Sequence, residues 1–216
     1  MSEILKNNEH SIRLQRIITA LKSEYPEAKI ALTASNPFQL LIATILSAQC
    51  TDERVNQITP SLFKKYPAPS NFASADPKVL ENDIFSTGFY RQKAKNIIEC
   101  CKILLSNHSG KIPKEMEELV QLPGVGRKTA SVILGNGYGI PAIAVDTHVV
   151  RLSNLLGFAE TKDAVKIETR LKELADETDW IILSHLFAHH GRKICIARRP
   201  VCGECVISRY CPSGKK

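Results

Sequence analysis

The sequence has 216 residues, of which 44% are hydrophobic and 24% charged, so it can bury a sizeable core in one domain or in two small lobes. It contains no apolar run of the length that crosses a membrane, and its polar first residues lack the apolar stretch of a secretory signal, which points to a cytoplasmic protein. The net charge is +7, and the segment from Gly191 to Lys216 contributes +6 of it, which suggests a polyanion partner, although charge runs more often form solvated surface.

Helical periodicity dominates the sequence and predicts an all-α fold. Asn36-Pro37 is a typical helix start, and the helix that follows is apolar nearly all round, so we expect it at the centre of a core. Thr51-Asp52 begins the next helix, which Pro60 is expected to break or kink. After a turn-rich connection, a long amphipathic helix is predicted over residues 91–106.

Two glycines alternate with a valine in Leu-Pro-Gly-Val-Gly-Arg-Lys-Thr-Ala, which runs from Leu122 to Ala130. Glycine allows positive φ and a close approach of the main chain to another surface, and the helix that starts here directs free N–H groups outward. The pattern fits an anion site, with phosphate as the expected anion on a basic protein. A plain glycine-capped corner is the alternative, and the basic residues that follow the glycines count against it. The residues predicted to face phosphate are Gly124, Val125, Gly126 and Arg127.

The second half of the sequence opens with a glycine-rich stretch over residues 135–141, the best candidate for a boundary between lobes. Residues 142–145 look like a short strand, because Ile143 and Val145 are β-branched, but they have no partner strand in the sequence, so we expect an extended buried connector. Asp146 then caps a helix. Two more helices are predicted over residues 162–175 and 179–192.

The last segment holds four of the seven cysteines within 17 residues, spaced C-x6-C-x2-C-x5-C. Four thiolates this close can bind one metal centre. Structural zinc usually takes two tight pairs, and only one tight pair occurs here, so the spacing favours a [4Fe–4S] cluster while leaving zinc open. These cysteines are Cys195, Cys202, Cys205 and Cys211. The others, Cys50, Cys100 and Cys101, fall on predicted helices and are interpreted as core residues.

Four further residues each have two possible interpretations. Lys128, in the first turn after the glycines, is either an activated nucleophile or a phosphate contact. Asp146 is either a plain N-cap or a carboxylate that acts as a base or electrostatic stabiliser. His185 and His189 have the i, i+4 spacing of a metal pair, but with no third ligand apparent we interpret them as face or core residues.

Taken together, these motifs resemble the endonuclease III family, the iron–sulfur branch of the helix-hairpin-helix DNA glycosylases. The matching segments are Leu-Ser-Ala-Gln-Cys-Thr-Asp (46–52), Gly-Phe-Tyr-Arg-Gln-Lys-Ala-Lys-Asn-Ile (88–97), the glycine corner, Ala-Val-Asp-Thr-His-Val-x-Arg (144–151), and His-Gly-Arg-x-x-Cys with the cysteines that follow. The resemblance spans residues 40–211 and implies two α-helical lobes. One is a six-helix barrel over 30–140 with the hairpin, and the other combines 1–29 with 141–216 and contains the cluster loop.

The resemblance also implies a function. Family members remove oxidised or ring-saturated pyrimidines from duplex DNA and nick the abasic strand. Lys128 matches the catalytic lysine and Asp146 the catalytic aspartate, while the four terminal cysteines match the [4Fe–4S] ligands. Gln49 and Phe89 match positions that fill the gap left by the flipped base. We also expect Arg198 and Arg199, in the cluster loop, to contact the DNA backbone, and the protein to act as a monomer in a prokaryotic nucleoid.

Departures from the family pattern are few: Phe89 is bulkier than the aliphatic residue found in some members, and His189 is not expected beside His190. Phe89 leaves the lesion and the opposite base undetermined. The adenine-excising branch is one alternative, but its members lack the lysine. A non-catalytic DNA-binding module would not need both Lys128 and Asp146, and a cluster-based electron carrier would not need the hairpin.

Overall fold

The computed structural model describes residues 3–214, so Lys215 and Lys216 of the predicted basic segment lie outside the described residues. The α-helices in this range are α1 Glu3–Glu24, α2 Pro37–Leu46, α3 Asp52–Lys65, α4 Pro69–Ala73, α5 Pro77–Asp83, α6 Tyr90–His108, α7 Met116–Leu119, α8 Arg127–Val132, α9 Thr147–Leu155, α10 Ala164–Leu174 and α11 Trp180–Lys193. Residues 3–214 contain no β-strand. The predicted all-α class is therefore confirmed.

The chain divides into two compact units, one over Ile30–Ile140 and one that joins the segment up to Lys29 with the segment from Pro141 onward. The first unit holds α2 to α8, of which α4 and α7 are short segments of five and four residues. Helix α2 is its centre, because all of its residues from Leu40 to Leu46 are buried. The Asn36 side chain accepts a hydrogen bond from the Gln39 N–H and caps this helix as predicted.

Helix α3 differs from the prediction, because it continues through Pro60 to Lys65 without a break. The predicted break before Leu62 is therefore wrong, and the alternative of a kink at Pro60 stays a prediction. Pro60 is exposed, whereas Thr59 and Leu62 on either side are buried, so the ring faces solvent while the helix face is fixed by packing. Packing of the apolar face outweighs the one main-chain hydrogen bond that proline removes.

The second unit is built on α1, α9, α10 and α11. Leu14, Ile17, Ile18 and Leu21 of α1 are fully buried and share a core with Leu171 of α10 and Phe187 of α11, among others. The connector that enters α9 is largely buried as predicted, with Ile143 completely buried, and residues 142–145 form no strand. None of the helices described within residues 3–214 is both long and apolar enough to span a membrane.

Candidate functional site

The turn between α7 and α8 contains two glycines with different reasons to be glycine. Gly124 has a φ of +81°, and an added Cβ would lie 3.1 Å from the Asn96 side chain on α6, so the fold itself requires glycine here. Gly126 has a φ of −92°, and no atom of the described chain would lie within 4 Å of an added Cβ. Its small size therefore serves no packing contact among residues 3–214.

Val125, between these glycines, differs from the DNA-facing role predicted for it. Its side chain is buried, with 6% exposed, and its N–H donates to the Leu122 carbonyl at 3.0 Å. The side chain anchors the turn and the N–H is already used inside it. Contacts to a phosphate would have to come from the residues on either side.

Lys128 lies in the first turn of α8 with its side chain exposed, as does Arg127. The first main-chain hydrogen bond of this helix joins the Ala130 N–H to the Gly126 carbonyl at 2.9 Å, so the helix begins where the sequence predicts. Because Lys128 is exposed, the chain alone does not remove its amine from water. The desolvation that activates a lysine nucleophile must come from whatever binds there.

Gln49 and Phe89 are both exposed and both have left-handed backbone, with φ of 53° and 49°. Phe89 precedes α6 directly and 65% of its side chain is exposed. Asn96, which packs against Gly124, lies seven residues further along α6, about 10 Å at 1.5 Å per residue. Helix α6 therefore connects the Phe89 turn and the glycine turn within one rigid element.

Asp146 caps α9 in the second unit. Its Oδ1 accepts hydrogen bonds from the N–H groups of His148 and Val149, both at 2.9 Å. The predicted cap is thus confirmed, and it uses only one oxygen of the carboxylate. The carboxylate is half-buried and held by the main chain, and Oδ2 takes part in neither bond.

The four terminal cysteines share one cavity of about 80 Å³, which is otherwise lined mainly by leucine and isoleucine side chains. All four thiols are free and half-buried. Burial is the main cause that raises the pKa of the Cys205 thiol. The charges of Cys195, Cys211 and Cys202 raise this pKa further, so the thiols interact with one another. His190 is buried behind them, with Nε2 3.4 Å from the Cys205 Sγ, and burial lowers its pKa to about 4.

This arrangement fits a cluster better than a single ion. Among residues 3–214, no three His, Cys, Asp or Glu side chains come close enough together to bind one metal ion. The four thiols instead surround an apolar-walled space, which is the environment an iron–sulfur cluster requires, whereas zinc ligands meet at one point about 2.3 Å from the metal. His185 and His189 are both half-buried on α11, and their interpretation as face or core residues stays a prediction.

Arg198 and Arg199 are exposed in the loop between the first two cysteines. The base of this loop is closed by a hydrogen bond from the Val201 N–H to the Ile194 carbonyl at 2.9 Å. All residues from Ile196 to Val201 are exposed, so the thiols face inward and the arginines face outward from one loop.

Arg151, the last residue of the Ala-Val-Asp-Thr-His-Val-x-Arg motif, has a role that the sequence did not reveal. Its Nη2 donates to the Gly191 carbonyl at 2.9 Å and to the Cys195 carbonyl at 2.7 Å. An added Cβ at Gly191 would lie 2.7 Å from the His148 Nδ1, so α9 and α11 pack too closely there for any other residue. Arg151 thus joins the helix that Asp146 caps to the first cysteine of the loop.

Comparison with known proteins gives consistent matches. Residues 42–177 match the model of the HhH-GPD superfamily base excision DNA repair proteins, and residues 195–211 match the iron–sulfur binding domain of endonuclease III. Endonuclease III of Synechocystis sp. is 48% identical over 204 residues, which cover 94% of this chain and 93% of that protein.

Two solved structures are equally informative. A non-covalent endonuclease III–DNA complex has a TM-score of 0.89 and 40% identity, and covers 94% of this chain and 96% of that one. A trapped covalent endonuclease III–DNA intermediate, an estranged-adenine complex, has the same TM-score, identity and coverage.

Proposed function

Because the chain belongs to the endonuclease III family, and is therefore a base excision repair DNA glycosylase and AP lyase, we propose that Lys128 and Asp146 are its catalytic residues. Its cofactor is a [4Fe–4S] cluster. We propose further that the unit over 30–140 is the helical barrel domain and that the remaining residues form the iron–sulfur domain. The substrate we propose is duplex DNA containing an oxidised or ring-saturated pyrimidine.

Lys128 acts as the nucleophile in this proposal. A base inside the stack cannot be reached, so the damaged nucleotide must first be flipped out of the duplex. The neutral Lys128 amine attacks C1′ and displaces the base, which leaves with the glycosidic electron pair. After the nitrogen loses a proton, its lone pair forms the C1′=N iminium while the C1′–O4′ bond of the sugar ring breaks and O4′ takes up a proton. The observation that supports this role is the exposed amine in the first turn of α8, directly after a turn in which an added Cβ at Gly126 would meet nothing within 4 Å.

The iminium then explains the lyase step. It is an electron sink, so the C2′ proton is lost to a base and an enamine with a C1′–C2′ double bond forms. The enamine electrons then form a C2′–C3′ double bond and regenerate the iminium, while the 3′ C–O bond breaks with the phosphate as leaving group. Asp146 assists by accepting the proton that Lys128 must lose and by stabilising positive charge on the sugar. The hydrogen bonds of Asp146 support this role, because both end on Oδ1 and Oδ2 stays available to accept.

The four cysteines around the shared cavity are proposed as the cluster ligands. The bound cluster supplies a redox-capable iron centre and four bonds that tie the loop together. Since the ligands are loop residues, cluster binding and loop folding are coupled. The loop then holds Arg198 and Arg199 for contact with the DNA backbone. We expect the purified protein to be brown with about four irons per chain, whereas colourless protein with stoichiometric zinc would contradict the assignment.

Gln49 and Phe89 are proposed to fill the space that the flipped nucleotide leaves. Both side chains are exposed from left-handed backbone, a geometry that presents them outward at a conformational cost. Phe89 offers an aromatic face for stacking on the neighbouring bases. We also propose that the protein acts as a monomer on the bacterial nucleoid, which its bacterial relatives support.

The proposal is tested by borohydride trapping on a duplex with a single thymine glycol. Wild-type protein should release the base, nick the strand and form a covalent complex when borohydride reduces the iminium. A matched duplex with thymine in place of thymine glycol should give neither product. Base release without any trapped complex would point to a water nucleophile and contradict the lysine mechanism.

A further inference from the structure

Lys93 of α6 is a buried cation that the mechanism above does not use. Only 4% of it is exposed, and its Nζ donates to the Leu46 carbonyl at 2.7 Å and to the Thr87 carbonyl at 2.8 Å. Lysine is rarely buried to this extent, because its charge must be paired or fully hydrogen-bonded. Burial accordingly lowers the pKa of Lys93. The residue therefore links two segments that are far apart in the sequence: the end of α2 and the turn before α6.

Each of the two carbonyls lies just before Gln49 or Phe89, the two residues proposed to fill the space beside a flipped nucleotide. We call these two residues the wedge residues. Gln49 is three residues after Leu46, and Phe89 is two residues after Thr87. Gln49 and Phe89 are two of the three non-glycine residues with positive φ among residues 3–214, and the third, Ser109, ends α6 as an ordinary C-cap. Left-handed backbone is unfavourable for a non-glycine residue and persists only where neighbouring contacts enforce it.

Gln49 and Phe89 present their side chains to solvent and not to the core of the unit. Both side chains are exposed, so neither packs a core in return for its unfavourable backbone. A fold that holds two exposed residues in the same uncommon conformation, each next to a contact with one buried lysine, keeps their relative position fixed for something outside it.

We propose that Lys93 is a positioning residue that holds Gln49 and Phe89 at a fixed separation, so that both enter the damaged duplex as one preformed wedge. This inference rests on the proposed function, since it takes the gap beside a flipped nucleotide as the wedge's target. Without the Lys93 ammonium, the two segments lose their common anchor and each wedge residue has to be ordered separately on the DNA. The affinity for DNA with a gap should then fall, while the affinity for intact duplex should not.

The competing explanation is that Lys93 only stabilises the end of α2, where its positive charge meets the helix carbonyls. A double-mutant cycle separates the two, because a residue that acts through Phe89 loses its effect when Phe89 is absent. The variants are Lys93→Met, Phe89→Ala and the double variant. Ile97→Ala is the control, since Ile97 is also buried on α6 but has no side-chain donor.

The readout is the ratio of Kd values for an intact duplex and for the same duplex with a tetrahydrofuran abasic analogue, at one salt concentration. Lys93→Met and Phe89→Ala should each lower this ratio about tenfold, and the double variant should be no worse than the more severe single variant. Lys93→Arg, which keeps charged donors, should recover part of the ratio and serves in the cycle if Lys93→Met does not fold. Ile97→Ala should lower the melting temperature and leave the ratio unchanged.

Two results would overturn the inference: additive effects of Lys93 and Phe89, or an equal loss of the ratio in Ile97→Ala. Failure of the proposed function looks different. In that case wild-type protein itself would show no base release from thymine glycol and no preference for the abasic analogue, whatever residue occupies position 93.

Discussion

The two proposed catalytic residues occupy environments of opposite kinds. Asp146 is half-buried and held by two main-chain hydrogen bonds, so its carboxylate is oriented before any substrate arrives. Lys128 is exposed in the first turn of a six-residue helix, shortly after a glycine at which an added Cβ would meet nothing within 4 Å. The carboxylate site is completed by the protein, and the amine site is left for the DNA to complete. In the free chain, the proposed catalytic carboxylate is therefore already oriented, whereas the proposed catalytic amine is still exposed to water.

The largest effect is expected at Lys128, the exposed residue of the pair. Lys128→Gln removes the only group proposed to form the iminium, so borohydride should trap no covalent complex on thymine glycol DNA, while binding to the lesion persists. Lys95→Gln is the matched control, because Lys95 is an exposed lysine on α6 in the same unit. Covalent trapping by Lys128→Gln would show that another amine is the nucleophile.

Substitution of Asp146, the oriented residue of the pair, should have a smaller effect on the reaction. Asp146→Asn keeps an oxygen for the two cap hydrogen bonds and removes the charge, so the melting temperature should change little. Loss of the proton acceptor should lower the single-turnover rate roughly 10²- to 10⁴-fold. Near-normal turnover would mean that Asp146 is only a cap. Asp163→Asn, at the N-cap of α10, is a suitable control for the cap itself.

The two hairpin glycines sharpen the comparison within a single turn. Gly124→Ala forces alanine into positive φ against Asn96 and should lower the free energy of unfolding by about 1–2 kcal/mol. Gly126→Ala meets no atom of the described chain, so stability should hold while the affinity for DNA falls about tenfold, as a methyl group obstructs the phosphate. Thermal melts and fluorescence-anisotropy titrations check the pair. If Gly126→Ala binds normally, the open space is not reserved for DNA.

The smallest effect is expected at the cluster loop, where the thiols face inward and the arginines face outward. Each phosphate that is neutralised contributes about −0.9 to the slope of log K against log salt, so Arg198→Ala with Arg199→Ala should reduce that slope by up to about two. The loss should be the same for all DNA sequences. An unchanged slope would mean that these exposed arginines do not face the backbone.

Sequence reasoning succeeded wherever the physical cause is local. Asn36 and Asp146 cap helices through hydrogen bonds to residues two or three positions away, and Gly124 requires positive φ within its own turn. It failed at Pro60, because the packing that holds α3 together past this residue is not visible in the residues beside it. For Val125, the sequence places the residue in the right turn but not the side of the turn that it faces.

Sequence reasoning did not single out two charged residues, Lys93 and Arg151, and it missed both for the same reason. Each donates to main-chain carbonyls more than 40 residues away, namely Leu46 for Lys93 and Cys195 for Arg151. Carbonyl groups occur at every position, so no residue type marks these partners in a sequence. From the sequence, a basic residue in a predicted helix is assigned to the solvent-exposed face, and only the fold shows that it is buried.

The burial of two cysteines has a practical consequence for handling the protein. Burial raises the pKa of Cys100 to about 12 and that of Cys101 still further, so neither forms a thiolate near neutral pH. The remaining five cysteines are half-buried, and four of them are the proposed iron ligands. A thiol-alkylating reagent applied to native protein should therefore label Cys50 alone when the cluster is intact. Mass spectrometry of the added labels would then report the fraction of molecules that have lost their iron.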